Sequence, residues 1–163
     1  MVRLVRHAKS SINEASSIGL REHVAGLSEE GLRQIPELRN KITDILGGRI
    51  LEDITVNVSE LWRTRQTAHE VGFVIFRTMP LLNESLEAAP LRKLLPRMQA
   101  GWLPHDALRD AERFLNNPEV HEEFNFTHGL KIAACRYVAG ERPLDGNTRH
   151  LVPFYAEIVE IST

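Results

Sequence analysis

The chain has 163 residues, enough for one ordinary hydrophobic core and short for two domains. Hydrophobic residues make up 42%, and 20 Lys and Arg against 22 Asp and Glu leave a net charge of -2, which excludes wholesale disorder and offers no broad basic face for nucleic acid. The single cysteine, Cys135, excludes an internal disulfide and a cysteine-based zinc cluster; no apolar run approaches the roughly 20 residues of a bilayer span, and Arg3, Arg6 and Lys9 interrupt any N-terminal signal core, so a cytoplasmic protein with no membrane partner is expected.

The predicted elements alternate. Met1 to Val5 is a short apolar run that reads as a buried strand, ended by the polar stretch from Arg6. Residues 8–26 carry small and polar types and two glycines, which suits a loop with at most one helical turn. Ser28 is placed as an N-cap, with Glu29 and Glu30 in the first turn beside the positive helix end. Leu32, Ile35, Leu38, Ile42, Ile45 and Leu46 follow at helical spacing, and Gly47-Gly48 stops the helix. Pro36 falls inside that pattern and either kinks one helix or opens a second.

Ile54 to Ser59 is β-branched and reads as a strand, Trp62 to Val71 as a helix closed by Gly72, and Phe73 to Phe76 as a short strand. Pro80, Pro90, Pro96 and Pro104 make residues 80–104 a loop-rich excursion with short helices. His105 to Leu115 is an amphipathic helix, Phe124 to Thr127 a strand, Gly129 to Val138 a helix and Tyr155 to Ile161 a last strand. Strands alternating with helices predict an α/β three-layer αβα sandwich: a mainly parallel central sheet with helices on both faces.

Such sheets place ligands beyond the C-terminal strand ends. Here those ends carry Arg6-His7, Ser59 shortly before Arg63, and Thr127-His128, so His, Arg and His are delivered to one sheet edge. Guanidinium forks match phosphate oxygens and never deprotonate. A histidine among them loses its own proton easily, and a neutral imidazole in a positive pocket can attack phosphorus. Each residue alone also has a plain reading, as a loop histidine or a solvated arginine.

Other machinery is missing. There is no G-x-S-x-G, no G-x-x-x-x-G-K-[ST] and no G-x-G-x-x-G. Cys135 sits mid-helix beside Ala133 and Ala134 and lacks the arginine of a cysteine-phosphatase loop, so it reads as core. His121-Glu122-Glu123 lacks the second histidine of H-E-x-x-H and reads as a solvated turn, so no metal is expected.

Four segments resemble, in order, the motifs of the histidine phosphatase superfamily, also called phosphoglycerate mutase-like. Arg6-His7-Ala8-Lys9-Ser10 through Asn13 is similar to its R-H-G-x-S-x-x-N opening. Leu27-Ser28-Glu29-Glu30-Gly31 through Gln34 resembles L-[ST]-x-x-G-x-x-Q, and Ser59 through Ala68 resembles S-x-L-x-R-A-x-Q-T-A. Phe126-Thr127-His128-Gly129 resembles the late S-H-G. The resemblance implies one histidine phosphatase-like domain over residues 1–163, with no cofactor and no metal. It implies His7 as the nucleophile that becomes phosphohistidine, Arg6, Arg63 and His128 as the phosphoryl pocket, and Asn13 and Ser10 as hydrogen-bonding partners of the substrate.

The family's acid usually follows the third strand in an L-x-E context. Leu82-Asn83-Glu84 matches it, with Glu87 as the nearest rival. Departures are Ala8 for Gly, Lys9 for a common Glu, Thr64 for Ala and Thr127 for Ser. The R-H-A-K-S opening is similar to small bacterial members that include protein-phosphohistidine phosphatases, some of which lack the acid. About 43 residues separate Glu84 from His128, which is short for a substrate cap and ranks a mutase low. The expected activity is a phosphatase acting on a small phosphomonoester; the alternatives are a phosphohistidine protein as partner, or an inactive phosphate-binding domain.

Overall fold

The computed structural model describes residues 1–11, 25–83, 91–120 and 124–162. Five strands, β1 (Val2–Arg6), β2 (Thr55–Val58), β3 (Ile75–Thr78), β4 (Phe124–Thr127) and β5 (Ile158–Ile161), form one sheet in the order β3-β2-β4-β1-β5. The pairs β1–β4, β2–β4 and β2–β3 are parallel, and β5 runs antiparallel on β1. Among the described residues five α-helices accompany them: α1 (Glu29–Leu46), α2 (Trp62–Val71), α3 (Leu91–Gln99), α4 (His105–Leu115) and α5 (Gly129–Val138).

The core has two layers, one on each sheet face. Val5, Val56, Val58, Phe73, Phe124 and Phe126 pack with Ile35, Leu38 and Ile42 of α1 and Ala68 and Val71 of α2. Val2 and Leu4 pack on the other face with Met98 of α3, Phe114 of α4 and Ile132 of α5. Alternate residues of one strand thus serve opposite layers, as the period-2 pleat requires. This is the three-layer αβα arrangement with a mainly parallel sheet.

Helix α1 is one helix through Pro36. The proline lies on the exposed side, and the carbonyl its missing N–H would have bonded belongs to exposed Leu32, where water can satisfy it. The expected apolar stripe narrows accordingly: Ile35, Leu38, Ile42 and Leu46 are buried, but Leu32 and Ile45 are exposed. Gly47 closes the helix at φ 60, a conformation glycine adopts without Cβ strain.

Two predicted strands shift. The run Phe73 to Phe76 becomes a strand only at Ile75–Thr78, because Phe73 turns into the core against Phe124 and Phe126 and β2 pairing begins at Thr55 opposite Ile75. The last strand starts at Ile158, not Tyr155, because Tyr155-Ala156 forms a turn with Ala156 at φ 56. Cys135 is buried in α5, and burial pushes its thiol up to about 12. Among the described residues, no helix is long and apolar enough to cross a membrane. The segment His121-Glu122-Glu123 lies outside the described residues.

Candidate active site

The strand ends deliver their residues as the topology demands. Beyond β1, the His7 N–H donates to Thr127 O at 3.1 Å, so β1 and β4 continue side by side to the site. Arg63 stands in the first turn of α2, just past β2, and His128 is the residue before α5. Arg6, His7, Arg63 and His128 are all buried.

Arg63 lies between the two imidazoles. Its Nε donates to His7 Nε2 at 3.3 Å, and its Nη2 lies 3.3 Å from His128 Nδ1. The two rings meet edge-on with centroids 5.2 Å apart. His7 Nδ1 lies 2.7 Å from the Ala8 carbonyl, which can only accept, so Nδ1 carries the proton and Nε2 the lone pair. The Arg63 bond requires the same tautomer. Burial holds His7 well below its ordinary pKa, helped by Arg63 and then Arg6 and opposed by the Ala8 bond. Burial likewise lowers His128, joined by His7, Arg63, Arg6 and Lys131. Both rings are neutral at neutral pH.

Arg6 is held from three sides. Its Nη1 donates to Pro153 O at 2.5 Å, and its guanidinium carbon sits 3.8 Å over the Tyr155 ring. On the third side Gly129 opens α5: a Cβ there would lie 3.0 Å from Arg6 Cζ and Nε. The glycine of the late motif therefore makes room for the arginine of the first.

The remaining motif residues fasten the loop after β1. Thr67 Oγ1 accepts from the Ala8 N–H at 3.0 Å and donates to Arg63 O at 2.7 Å. Gln34 Oε1 accepts from the Lys9 N–H at 2.9 Å, and Gln66 Oε1 from the Leu27 N–H at 2.8 Å. Ser28 caps α1 through the Gly31 N–H and bonds Lys9 O. Gly31 is required because a Cβ there would stand 2.0 Å from that carbonyl. Ser10 is buried, in a bridge with Leu27. Lys9 is ion-paired with Glu30.

Asn13, Glu84 and Glu87 lie outside the described residues. The two residues ahead of Glu84 are anchored at the site edge. Thr127 Oγ1 donates to Leu82 O at 2.6 Å, and Asn83 is clasped to Glu60, accepting its N–H at 2.9 Å. Thr127 thus uses the hydroxyl it shares with the usual serine.

Sequence reasoning missed Tyr155, whose ring stacks on Arg6 and lies 5.8 Å from His7, because an aromatic beside a β-branched run reads as strand. The one available signal was Pro153, which cannot continue a ladder. Among the described residues, no group of three His, Cys, Asp or Glu could hold a metal ion.

No protein-family model and no curated protein matches the sequence. Solved structures do match. A phosphoserine phosphatase of Entamoeba histolytica, a histidine-to-alanine mutant in complex with phosphoserine, is 16% identical at a TM-score of 0.63, over 96% of this chain and 87% of that one. A candidate alpha-ribazole-5'-P phosphatase of Escherichia coli K-12 is 19% identical at 0.64, over 97% and 89%. A candidate phosphohistidine phosphatase, SixA of Agrobacterium tumefaciens, is 18% identical at 0.53, over 86% and 76%. The chain has the histidine phosphatase fold. On that fold, the edge where these buried histidines and arginines meet is the C-terminal edge of the parallel strands, where α/β sheets bind their ligands.

Proposed function

We propose that this chain is a single-domain, metal-independent phosphatase that hydrolyses a phosphomonoester through a phosphohistidine on His7. The observation that carries the reading is the state of His7. It is a buried neutral imidazole whose Nδ1–H is committed to Ala8 O and whose Nε2 lone pair faces Arg63. In the proposed reaction Nε2 attacks phosphorus in line, the P–N bond forms and the P–O bond to the leaving group breaks. The Ala8 carbonyl then stabilises the positive charge that appears on the ring. Arg63 and Arg6 turn their N–H groups to the phosphoryl oxygens, where charge spreads in the transition state. His128 completes the pocket, and Asn13 binds the substrate phosphate or its leaving group. Water then attacks the phosphohistidine, releasing phosphate and restoring the imidazole.

Glu84 is the proposed general acid that protonates the leaving oxygen, with Glu87 as the alternative. The anchoring of Leu82 on Thr127 and of Asn83 on Glu60 supports Glu84, since Leu82 is tied to the residue before His128 and Asn83 to the residue after Ser59. The proposed substrate is a small phosphorylated molecule. A phosphohistidine protein is the second reading, favoured by the likeness to the SixA structure and by the R-H-A-K-S opening.

Turnover of an aryl phosphate in EDTA tests the proposal. Wild type should turn over and form a phosphoenzyme in rapid quench, and folded His7→Ala should do neither. Activity above a few per cent in that variant would remove His7 as nucleophile, and an inert wild type would leave a phosphate-binding domain. A panel of sugar phosphates, nucleotides and phosphohistidine peptides then separates the substrate classes.

A further inference from the structure

Ser59 and Thr64 stand behind His128 and have no place in the chemistry above. Ser59 Oγ is 2.9 Å from His128 Nε2 and 2.9 Å from Thr64 Oγ1, and all three residues are buried. The direction of each bond follows from an atom that can only accept. Thr64 Oγ1 is 2.8 Å from the Leu61 carbonyl and 3.3 Å from that of Ser59, so the threonine's one proton is committed to the backbone. The Ser59 hydroxyl must then donate to Thr64 Oγ1. Ser59 Oγ accepts the Leu61 N–H at 3.3 Å, and its remaining lone pair faces His128 Nε2, which must carry the proton. At the far side of the ring Arg63 Nη2, which can only donate, faces Nδ1. Both ends of the ring demand the same tautomer.

We infer that Thr64, acting through Ser59, is a positioning residue that holds His128 as its Nε2–H tautomer and keeps a lone pair on Nδ1, the atom on the Arg63 and His7 side. The inference rests on the phosphatase reading for its catalytic meaning, not for the tautomer itself. An anionic phosphoryl oxygen beside Nδ1 requires a proton there. The charged and titratable groups that act on His128 are His7, Arg63, Arg6 and Lys131, and a bound anion offsets their effect. Because Nε2 is already filled, the incoming proton lands on Nδ1, aimed at the phosphoryl group. Without Thr64 the Ser59 hydroxyl is released to turn and donate to Nε2 at 2.9 Å; Nδ1 then takes the proton at the expense of its 3.3 Å contact with Arg63, and with Nε2 closed to a second proton the ring meets the phosphoryl group neutral and loses a charge-assisted bond. At Thr64 the motif that residues 59–68 resemble has alanine.

Long-range 1H–15N spectra of the full chain with labelled histidine, at neutral pH, read the tautomer directly. Wild type and Thr64→Ser should show His128 protonated on Nε2; Thr64→Val, close in shape but without the hydroxyl, should show protonation moving to Nδ1. In parallel, kcat/KM for an aryl phosphate should fall roughly tenfold in Thr64→Val, the scale of one hydrogen bond, and recover in Thr64→Ser. The alkaline limb of its pH profile should become shallower in Thr64→Val only. If Thr64→Val does not fold, Thr64→Ala removes the same hydroxyl while keeping Ser59 and should shift the same signals. A wild-type His128 protonated on Nδ1, or a variant spectrum like wild type, overturns the inference. A shifted tautomer with kcat/KM within twofold of wild type overturns the positioning role. An inert wild type refutes the phosphatase reading instead, and the spectra still decide the tautomer.

Discussion

Replacing Arg63 by lysine keeps one positive charge and removes the fork. Arg63 uses two different nitrogens to reach His7 Nε2 and His128 Nδ1, each at 3.3 Å. A single ammonium cannot hold two planar donors at those places, so one of the two directed contacts is lost when a phosphoryl group takes the position of the lone pairs. A hydrogen bond to a charged group is worth about 1.5 to 3 kcal/mol, and Arg63 is only 3% exposed, so solvent screens little of it. The expected loss in kcat/KM is therefore roughly 10- to 150-fold at one such bond. Arg63→Met should cost more and also move the acid limb of the pH profile to higher pH, because the second largest cause of the low His7 pKa disappears while burial remains. Steady-state kinetics on an aryl phosphate across pH 5 to 8 measure both effects. Arg63→Lys within twofold of wild type would refute the clamp.

Gly129→Ala puts a methyl 3.0 Å from Arg6 Cζ and from Val152 Cγ1, and Arg6 cannot retreat without leaving Pro153 O or Tyr155. KM should rise several-fold or more, and the thermal midpoint should fall as the crowded contact pushes Arg6 or Val152 aside; unaltered kinetics would show that Arg6 does not bind the phosphoryl group. His7 and His128 are both lowered in the folded state, so below their unfolded pKa of about 6.5 the unfolded chain binds more protons than the native one. Stability should be level with respect to these two groups above that pH and fall as pH drops below it, by up to about 1.4 kcal/mol per pH unit for each histidine. Urea midpoints at pH 5 to 8 check this, with His128→Gln expected to flatten the slope. Glu84→Gln should slow an alkyl phosphate by roughly 10²-fold and an aryl phosphate far less, since only the poor leaving group needs a proton. The same pattern in Glu87→Gln alone would move the acid by three residues, and its absence from both would favour a phosphohistidine substrate.

Much of the fold was legible because local signals and tertiary demands agreed. Helix α2, helix α4, helix α5 and strand β4 run where their periodicity and end signals put them. The three helices end at Gly72, at Asn116 and at Ala139 just before Gly140, breaker or turn positions that act through the adjacent backbone and need no distant partner. The convergence of His7, Arg63 and His128 was legible for a similar reason. Parallel strands linked by crossover helices put successive strand ends on one edge, so sequence order alone places the three residues together.

What sequence could not reach depends on distant partners. The Phe73 run splits between core and edge strand because Phe124 and Phe126 offer Phe73 a place that Val74 cannot reach. Tyr155 leaves its strand because the turn at Ala156 brings its ring onto Arg6, far away in the chain. The sequence by itself determined the αβα architecture and the edge at which the charged residues gather, since both follow from periodicity and connection rules. Only the tertiary structure decided what each ring nitrogen faces, because those partners meet only in the folded chain: the Ala8 carbonyl and Arg63 Nε for His7, and Ser59 Oγ and Arg63 Nη2 for His128.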